Sequence, residues 1–230
     1  MDGSPIYRDR TEAGQILAHH VIAKVPDVNP LVLALPRGGV PVAFEVARAL
    51  RAELDVFLVR KLGLPGHEEL AIGAIASGGV RVLNRELIEE LHLSEDLINR
   101  VTATEEQELE RRERLYRENR PALVVGGRTV ILIDDGLATG ASMMAGVRAL
   151  RPQSPVRIVV AVPVAARETC QEFRAEADEV ICPATPEPFS AVGAWYDDFS
   201  QTTDSEVHRL LEQAARERSS WSRGVIEPKP

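Results

Sequence analysis

Lysine is nearly missing from this chain: three residues against 24 arginines. Cysteine is as scarce, at Cys170 and Cys182 alone, and aromatic residues make up 4%. Two cysteines with no metal-ligand spacing exclude a zinc-type centre and point to a reducing cytosol. There is no basic excess either. With 27 cationic against 35 acidic residues the net charge is −8. That balance excludes a general binder of nucleic acid or of anionic membranes, because both need clustered cations. The longest apolar run, 158–166, contains Pro163 and falls well short of the roughly 20 residues that span a bilayer. The opening residues, Met1 to Pro5, lack the basic and apolar regions of a secretory leader. A soluble cytoplasmic protein is expected.

What is present is ordinary globular material, 44% hydrophobic and 27% charged over 230 residues. That length suits one α/β domain with its own core. Apolar periodicity predicts a helix from about Asp9, burying Ile16, Leu17, Val21 and Val25 and stopping at Pro26. Short apolar runs at 31–35, 55–59, 129–133, 157–163 and 179–182 read as strands. Helices are expected at 42–50, 142–150 and about 166–177, and a hairpin around Ser77-Gly78-Gly79. Strands alternating with helices predict a mostly parallel sheet. Residues 84–120 read as a helical insertion, with a possible capping box at Thr104 to Gln107. Its pairs Glu108/Arg112, Glu110/Arg114 and Glu113/Arg117 stand at i,i+4, and Ile98, Val101, Leu109 and Tyr116 make only a thin apolar stripe. A solvated, weakly packed helix is expected there.

The stretch 129–142, TVILIDDGLATGAS, carries the most chemistry. An apolar strand ends in two carboxylates, and a small-residue turn then opens a helix. Backbone N–H groups at a helix start suit a phosphate dianion. Thr139 and Ser142 add hydroxyl donors, and Gly136 and Gly140 permit close approach. Asp134 and Asp135 can accept hydrogen bonds from a vicinal diol. Phosphate plus diol describes a ribose 5-phosphate. The bland alternative is a plain strand–turn–helix with solvated acids.

This run resembles the phosphoribosyl pyrophosphate (PRPP) motif of type I phosphoribosyltransferases, and Asp-Asp-x-Leu-Ala-Thr-Gly is most similar to the adenine-type enzymes. The resemblance covers roughly 30–183. It implies that Gly136, Leu137, Ala138, Thr139, Gly140, Ala141 and Ser142 hold the 5-phosphate, with Asp134 and Asp135 at the ribose and possible Mg²⁺ ligands. Two further motifs support it. Pro36-Arg37-Gly38-Gly39 follows the first core strand, where successive glycines can form an anion nest. The family places its pyrophosphate loop there, so the resemblance gives that role to Arg37, Gly38 and Gly39. Alone, these residues also read as a tight turn with a surface arginine.

Val59-Arg60-Lys61 is similar to the orotate-type enzymes, where this pair meets the pyrophosphate. It sits at the predicted carboxyl end of a strand, where open parallel sheets bind ligands. Both also read as exposed strand-end cations. Residues 64–69 would form the family's mobile loop, and a lone His67 within it reads as solvated.

Base selection is less legible. Four of the ten aromatic residues lie within 189–199, in a candidate hood over 184–215. A base could stack on Phe189, Trp195 or Tyr196, or these rings could form a satellite core that pins the chain's end. Both readings stand. Hypoxanthine–guanine enzymes place a carboxylate just before the Thr-Gly pair, where this chain has Ala138. No general acid or base can be named.

The expectation is a type I phosphoribosyltransferase fold, α/β, in a single domain 1–230 with a frayed tail at 216–230. It would transfer 5-phosphoribose from PRPP to a nitrogenous base with Mg²⁺, as a homodimer. A non-catalytic regulator that binds PRPP or a nucleotide, or a hydrolase or phosphorylase of a ribose 5-phosphate derivative, would use the same cradle.

Overall fold

The computed structural model describes residues 4–27, 29–117 and 120–223. Helix α1 (Arg10–Lys24) is capped by Asp9, whose side chain accepts from Glu12 N. It buries Leu17 and Val21 as predicted, together with Ala13, Gly14 and Ala18, while Ile16 faces outward. Ile16 adds a branched side chain on the far side of the helix from the buried Leu17–Val21 stripe. The chain continues through β1 (Leu31–Ala34), α2 (Gly39–Leu50), β2 (Glu53–Val56), β3 (Val59–Leu64), β4 (His67–Ala76) and β5 (Val80–Leu83). Then follow α3 (Arg85–Glu90), α4 (Glu95–Arg117), β6 (Thr129–Ile133), α5 (Ala141–Leu150), β7 (Arg157–Ala161), α6 (Arg167–Phe173), β8 (Glu179–Ile181) and α7 (Asp204–Arg223).

Five strands form an all-parallel sheet in the order β2-β1-β6-β7-β8. Its strands are buried on both faces, as their unbroken Val, Ile and Leu content requires. Alternate residues serve opposite cores. Val32, Ile131, Ile133 and Val159 pack with α1, α2 and α7, whereas Leu33, Val130, Leu132 and Val160 pack with α5 and α6. The mostly parallel sheet with helices on both faces is the architecture the sequence predicts. Parallel pairing brings the carboxyl ends of β1, β6 and β7 to one edge, and the loops 35–39, 134–140 and 162–166 leave from it.

Several expectations fail locally. The run 55–59 is not one strand. The chain leaves the parallel sheet after Val56 and starts an antiparallel sheet, β3-β4-β5, at Val59. Ser77 makes the joint, its hydroxyl accepting from Leu58 N and its own N–H donating to Leu58 O. The supposed loop 64–69 is therefore the tip of a hairpin, with Leu64 paired to His67.

The helical segment after β5 is also better anchored than its thin stripe suggests. Thr104 lies inside α4, its hydroxyl donating to Arg100 O, and Ser94 caps the start instead. Arg117 does not pair with Glu113. It forms a two-pronged ion pair with Asp55 of β2, the two side chains 13% and 6% exposed. A buried carboxylate demands a partner more strongly than a solvated one does. Finally, α7 runs on through 216–223, where a frayed tail is expected from the sequence, and 224–230 lie outside the described residues.

Cys170 and Cys182 are joined in a disulfide between α6 and the segment after β8, a bond that the reading of a reducing environment did not anticipate. Spacing alone says nothing about such a pair. Among the described residues no helix is long and apolar enough to cross a membrane.

Candidate functional site

The loop after β1 and the loop after β6 meet because their strands are neighbours, with Ala34 in register with Ile133. Leu35 N donates to Ile133 O, and Gly39 N turns back to Leu35 O, so the chain enters α2 within a few residues. The Pro36–Arg37 peptide is cis. A β-carbon on Gly38 would overlap the Asp135 carboxylate, and one on Gly39 would lie 2.7 Å from Ile133 O and 2.9 Å from Asp134 Cα. Glycines are thus what allow the two loops to touch.

The turn between Asp135 and α5 is fixed from behind. Leu137 N donates to Val164 O, Ala166 N donates to Leu137 O, and Thr169 Oγ1 donates to Ala138 O at 2.7 Å. Gly140 has φ +67°, and a β-carbon there would meet Phe173 at 2.6 Å. Only glycine meets both conditions. Beyond it the first amides of α5 lack intrahelical acceptors. The hydroxyls of Thr139 and Ser142 are exposed and make no hydrogen bond to the described residues. The result is a set of free donors at a helix start, which suits an anion.

Asp134 and Asp135 are both half-buried. Asp134 Oδ1 accepts from Asp135 N at 2.8 Å. Burial, and then the neighbouring Asp135 charge, push the Asp134 carboxyl well above the ordinary carboxylate range, against the pull of the Asp135 N–H and Arg10. Burial also raises Asp135, and Arg10 offsets it. Arg10 was not legible from the sequence. Its Nε donates to Asp135 Oδ2 at 2.8 Å, its Nη1 donates to Ser200 O at 2.7 Å, and Phe199 lies against its guanidinium. No local motif marks it, because its partner is 125 residues away.

The other basic residues separate. Arg37 sits 3.6 Å from Asp204 at the start of α7, where Tyr116 also donates to Asp204. Arg60 is paired with Glu105 of α4. Lys61, next along β3, is exposed and lines a hollow of about 730 Å³ against α5, beside Ala141, Met144 and Arg148. Adjacent strand residues point to opposite faces, so Arg60 and Lys61 leave β3 on different sides.

The aromatic residues of 189–199 cover the acidic end of the cradle. Trp195 and Tyr196 are buried in a small cluster with Tyr7, Ala13 and Val164, and Phe189 packs on its edge. The satellite core foreseen as one of two readings is thus present. Tyr196 OH donates to Asp135 O at 2.6 Å, Tyr7 OH donates to Pro163 O, and Trp195 O accepts from Ile6 N and Tyr7 N. Burial holds the Tyr7 hydroxyl up at about 12 and raises Tyr196 further. Trp195 lies in the 3-10 turn Val192–Trp195, not in an extended strand, and its buried Nε1 has no hydrogen-bond partner among the described residues.

Among the described residues no group of three or more His, Cys, Asp or Glu could hold a metal ion. Two hard carboxylates beside a phosphate cradle do suit Mg²⁺, which commonly keeps its waters and binds one or two carboxylates plus substrate phosphates.

This arrangement has relatives. A family model described as the phosphoribosyl transferase domain matches residues 65–197. A Mycobacterium tuberculosis H37Rv protein, provisionally named phosphoribosyl transferase Rv0571c, is 43% identical over 212 residues, covering 92% of this chain and 48% of its own length. The chain therefore spans about half the length of the curated relatives it matches. The crystal structure of TT1426 from Thermus thermophilus superposes with a TM-score of 0.82 at 44% identity, over 90% of this chain and 98% of that one. By the family model, which matches more than half of its length, this chain belongs to the phosphoribosyl transferase domain family.

Proposed function

We propose that the chain transfers 5-phosphoribose from PRPP to a nitrogenous base, releasing pyrophosphate. The observation that carries this reading is the contact of Gly38 and Gly39 with Asp134 and Asp135, one turn before the helix start at Gly140. A diol acceptor, a glycine loop pressed against it and a phosphate cradle within one loop cluster answer to the three polar parts of PRPP. The cradle fixes the 5-phosphate through backbone N–H groups, Thr139 and Ser142. Asp134 and Asp135 hold the 2- and 3-hydroxyls, which orients C1 toward the glycine loop.

Loss of pyrophosphate from C1 develops positive charge on the sugar and negative charge on the leaving group. The loop amides and nearby guanidinium groups favour the latter, and exclusion of water protects the sugar from hydrolysis. Mg²⁺ arriving with PRPP would supply further charge for the leaving group, with Asp134 and Asp135 as the protein's oxygen donors. A homodimer and a cytoplasmic location go with this reading.

A pyrophosphate-release assay over a panel of bases, with PRPP binding followed by calorimetry, tests it. Release with at least one base supports transfer. Tight PRPP binding without release on any base assigns the chain to a regulator. Unchanged PRPP affinity in a folded Asp134→Asn/Asp135→Asn double variant would sink the ribose assignment.

A further inference from the structure

We infer that Arg10 is a pyrophosphate-binding residue that Asp135 holds in place until the ligand's diol takes over that carboxylate, an inference that rests on the PRPP reading of the same site. Arg10 is the first residue of α1, and the Asp9 cap fixes where its side chain leaves the helix. Its side chain is 11% exposed, and the guanidinium is stationed by three contacts: Asp135 Oδ2, Ser200 O and the Phe199 ring at 3.9 Å. The same Nε lies 3.4 Å from where a β-carbon of Gly38 would stand, so the charge rests against the glycine loop itself. Nη2 makes no hydrogen bond to the described residues.

A fixed cation touching both the diol carboxylate and the glycine loop cannot be indifferent to a ligand that fills both. When ribose hydroxyls donate to Asp135, they compete with Arg10 Nε for the same oxygen. The anion nearest to the freed guanidinium is then the pyrophosphate on Gly38 and Gly39. The ligand thus supplies a new partner for each half of the ion pair. Arginine suits the exchange, because it stays charged and its planar fork can turn from carboxylate to phosphate oxygens without leaving the Phe199 face. A ligand with a diol and no pyrophosphate draws on the Asp135 carboxylate and weakens the ion pair without giving Arg10 a new partner.

That asymmetry separates this role from a plain structural pin between α1 and the segment 196–200. Calorimetry on the whole chain would use three probes: inorganic pyrophosphate, PRPP and ribose 5-phosphate. Arg10→Ala should weaken pyrophosphate and PRPP by about ten- to a hundredfold, the range of a charge-assisted contact. Ribose 5-phosphate should bind as tightly as in the parent or more tightly, because Asp135 no longer has to be freed. Arg10→Lys should recover part of the pyrophosphate affinity. Arg10→Gln, which keeps much of the side-chain stem over Phe199, replaces the alanine variant if that one does not fold. Equal losses for all three probes would make Arg10 a pin and overturn the inference, as would pyrophosphate affinity unchanged from the parent or absent in it. If the parent binds pyrophosphate in an Arg10-dependent way but neither PRPP nor ribose 5-phosphate, the proposed function fails while the anion role of Arg10 stands.

Discussion

Asp134 sits where charge is least welcome, half-buried beside a second carboxylate, and its pKa is raised accordingly. The sign of the consequence follows. A carboxyl whose folded pKa exceeds its unfolded value binds protons more tightly when folded, so stability falls as pH rises from the unfolded value of about 3.9 through the folded one. Asp134→Asn keeps an oxygen for the Asp135 N–H and removes the charge. The melting temperature of that variant should exceed the parent's at pH 7 by about 2–4 °C for each kcal/mol relieved, and the gap should close below about pH 3.5. A gap that persists in acid would point to packing as the cause. Arg60 and Lys61 offer a second contrast at this scale. Arg60→Ala breaks a half-exposed pair with Glu105 and should cost about 1 kcal/mol or less of stability, leaving PRPP affinity unchanged. Lys61→Ala should leave melting unchanged and weaken PRPP more than ribose 5-phosphate; equal weakening would remove it from the pyrophosphate. Asp134, Asp135 and Gly140 were legible because strand, acids and helix start follow one another in sequence. Arg10 and the Tyr196 hydroxyl act on Asp135 from 125 and 61 residues away, and only the fold brings them there.

Among the elements, legibility tracked burial. The central parallel strands are mostly apolar and were readable, whereas β3 carries Arg60 and Lys61 and only two residues separate it from β2, so the two runs merged into one. Helix α4 looked weakly held because its stripe of Ile98, Leu109 and Tyr116 is thin, although all three are buried in the core, and apolar periodicity does not register its ionic anchors, Arg117 on Asp55 and Glu105 with Arg60. The 189–199 segment is the hardest case, since aromatic residues in a loop fit a base platform and a satellite core equally well. Its burial with Tyr7 and Val164 favours the core. Trp195→Ala should then cost about 3–5 kcal/mol, as for other large buried rings, and loosen the pairing of residues 6 and 7 with Trp195 O. Thermal melts with hydrogen exchange at Ile6 and Tyr7 would check this. A variant that melts like the parent yet loses nucleotide binding would return Trp195 to the base pocket.

For the molecule as a whole, one covalent link bears on how firmly the cradle is backed. The disulfide joins Cys170 of α6 to Cys182 across a sequence separation of 12 residues. Helix α6 is short, and its inner side serves the cradle directly: Thr169 donates to Ala138 O, and Phe173 lies where a β-carbon on Gly140 would go. Closing a loop of this size removes disorder from the unfolded chain by about 3 kcal/mol in the chain-entropy account. At about 2–4 °C per kcal/mol for a domain of this size, reduction should lower the melting temperature by roughly 6–12 °C. A Cys170→Ser/Cys182→Ser variant should melt like the reduced parent and show no response to reductant. Exchange of the 138–142 amides should quicken more than that of the sheet core, because α6 is what the turn leans on. Calorimetric melts with and without reductant, paired with thiol titration of the purified chain, decide the matter. Two free thiols in protein kept from reductant, or melts that coincide in both states, would show that α6 backs the cradle by packing alone.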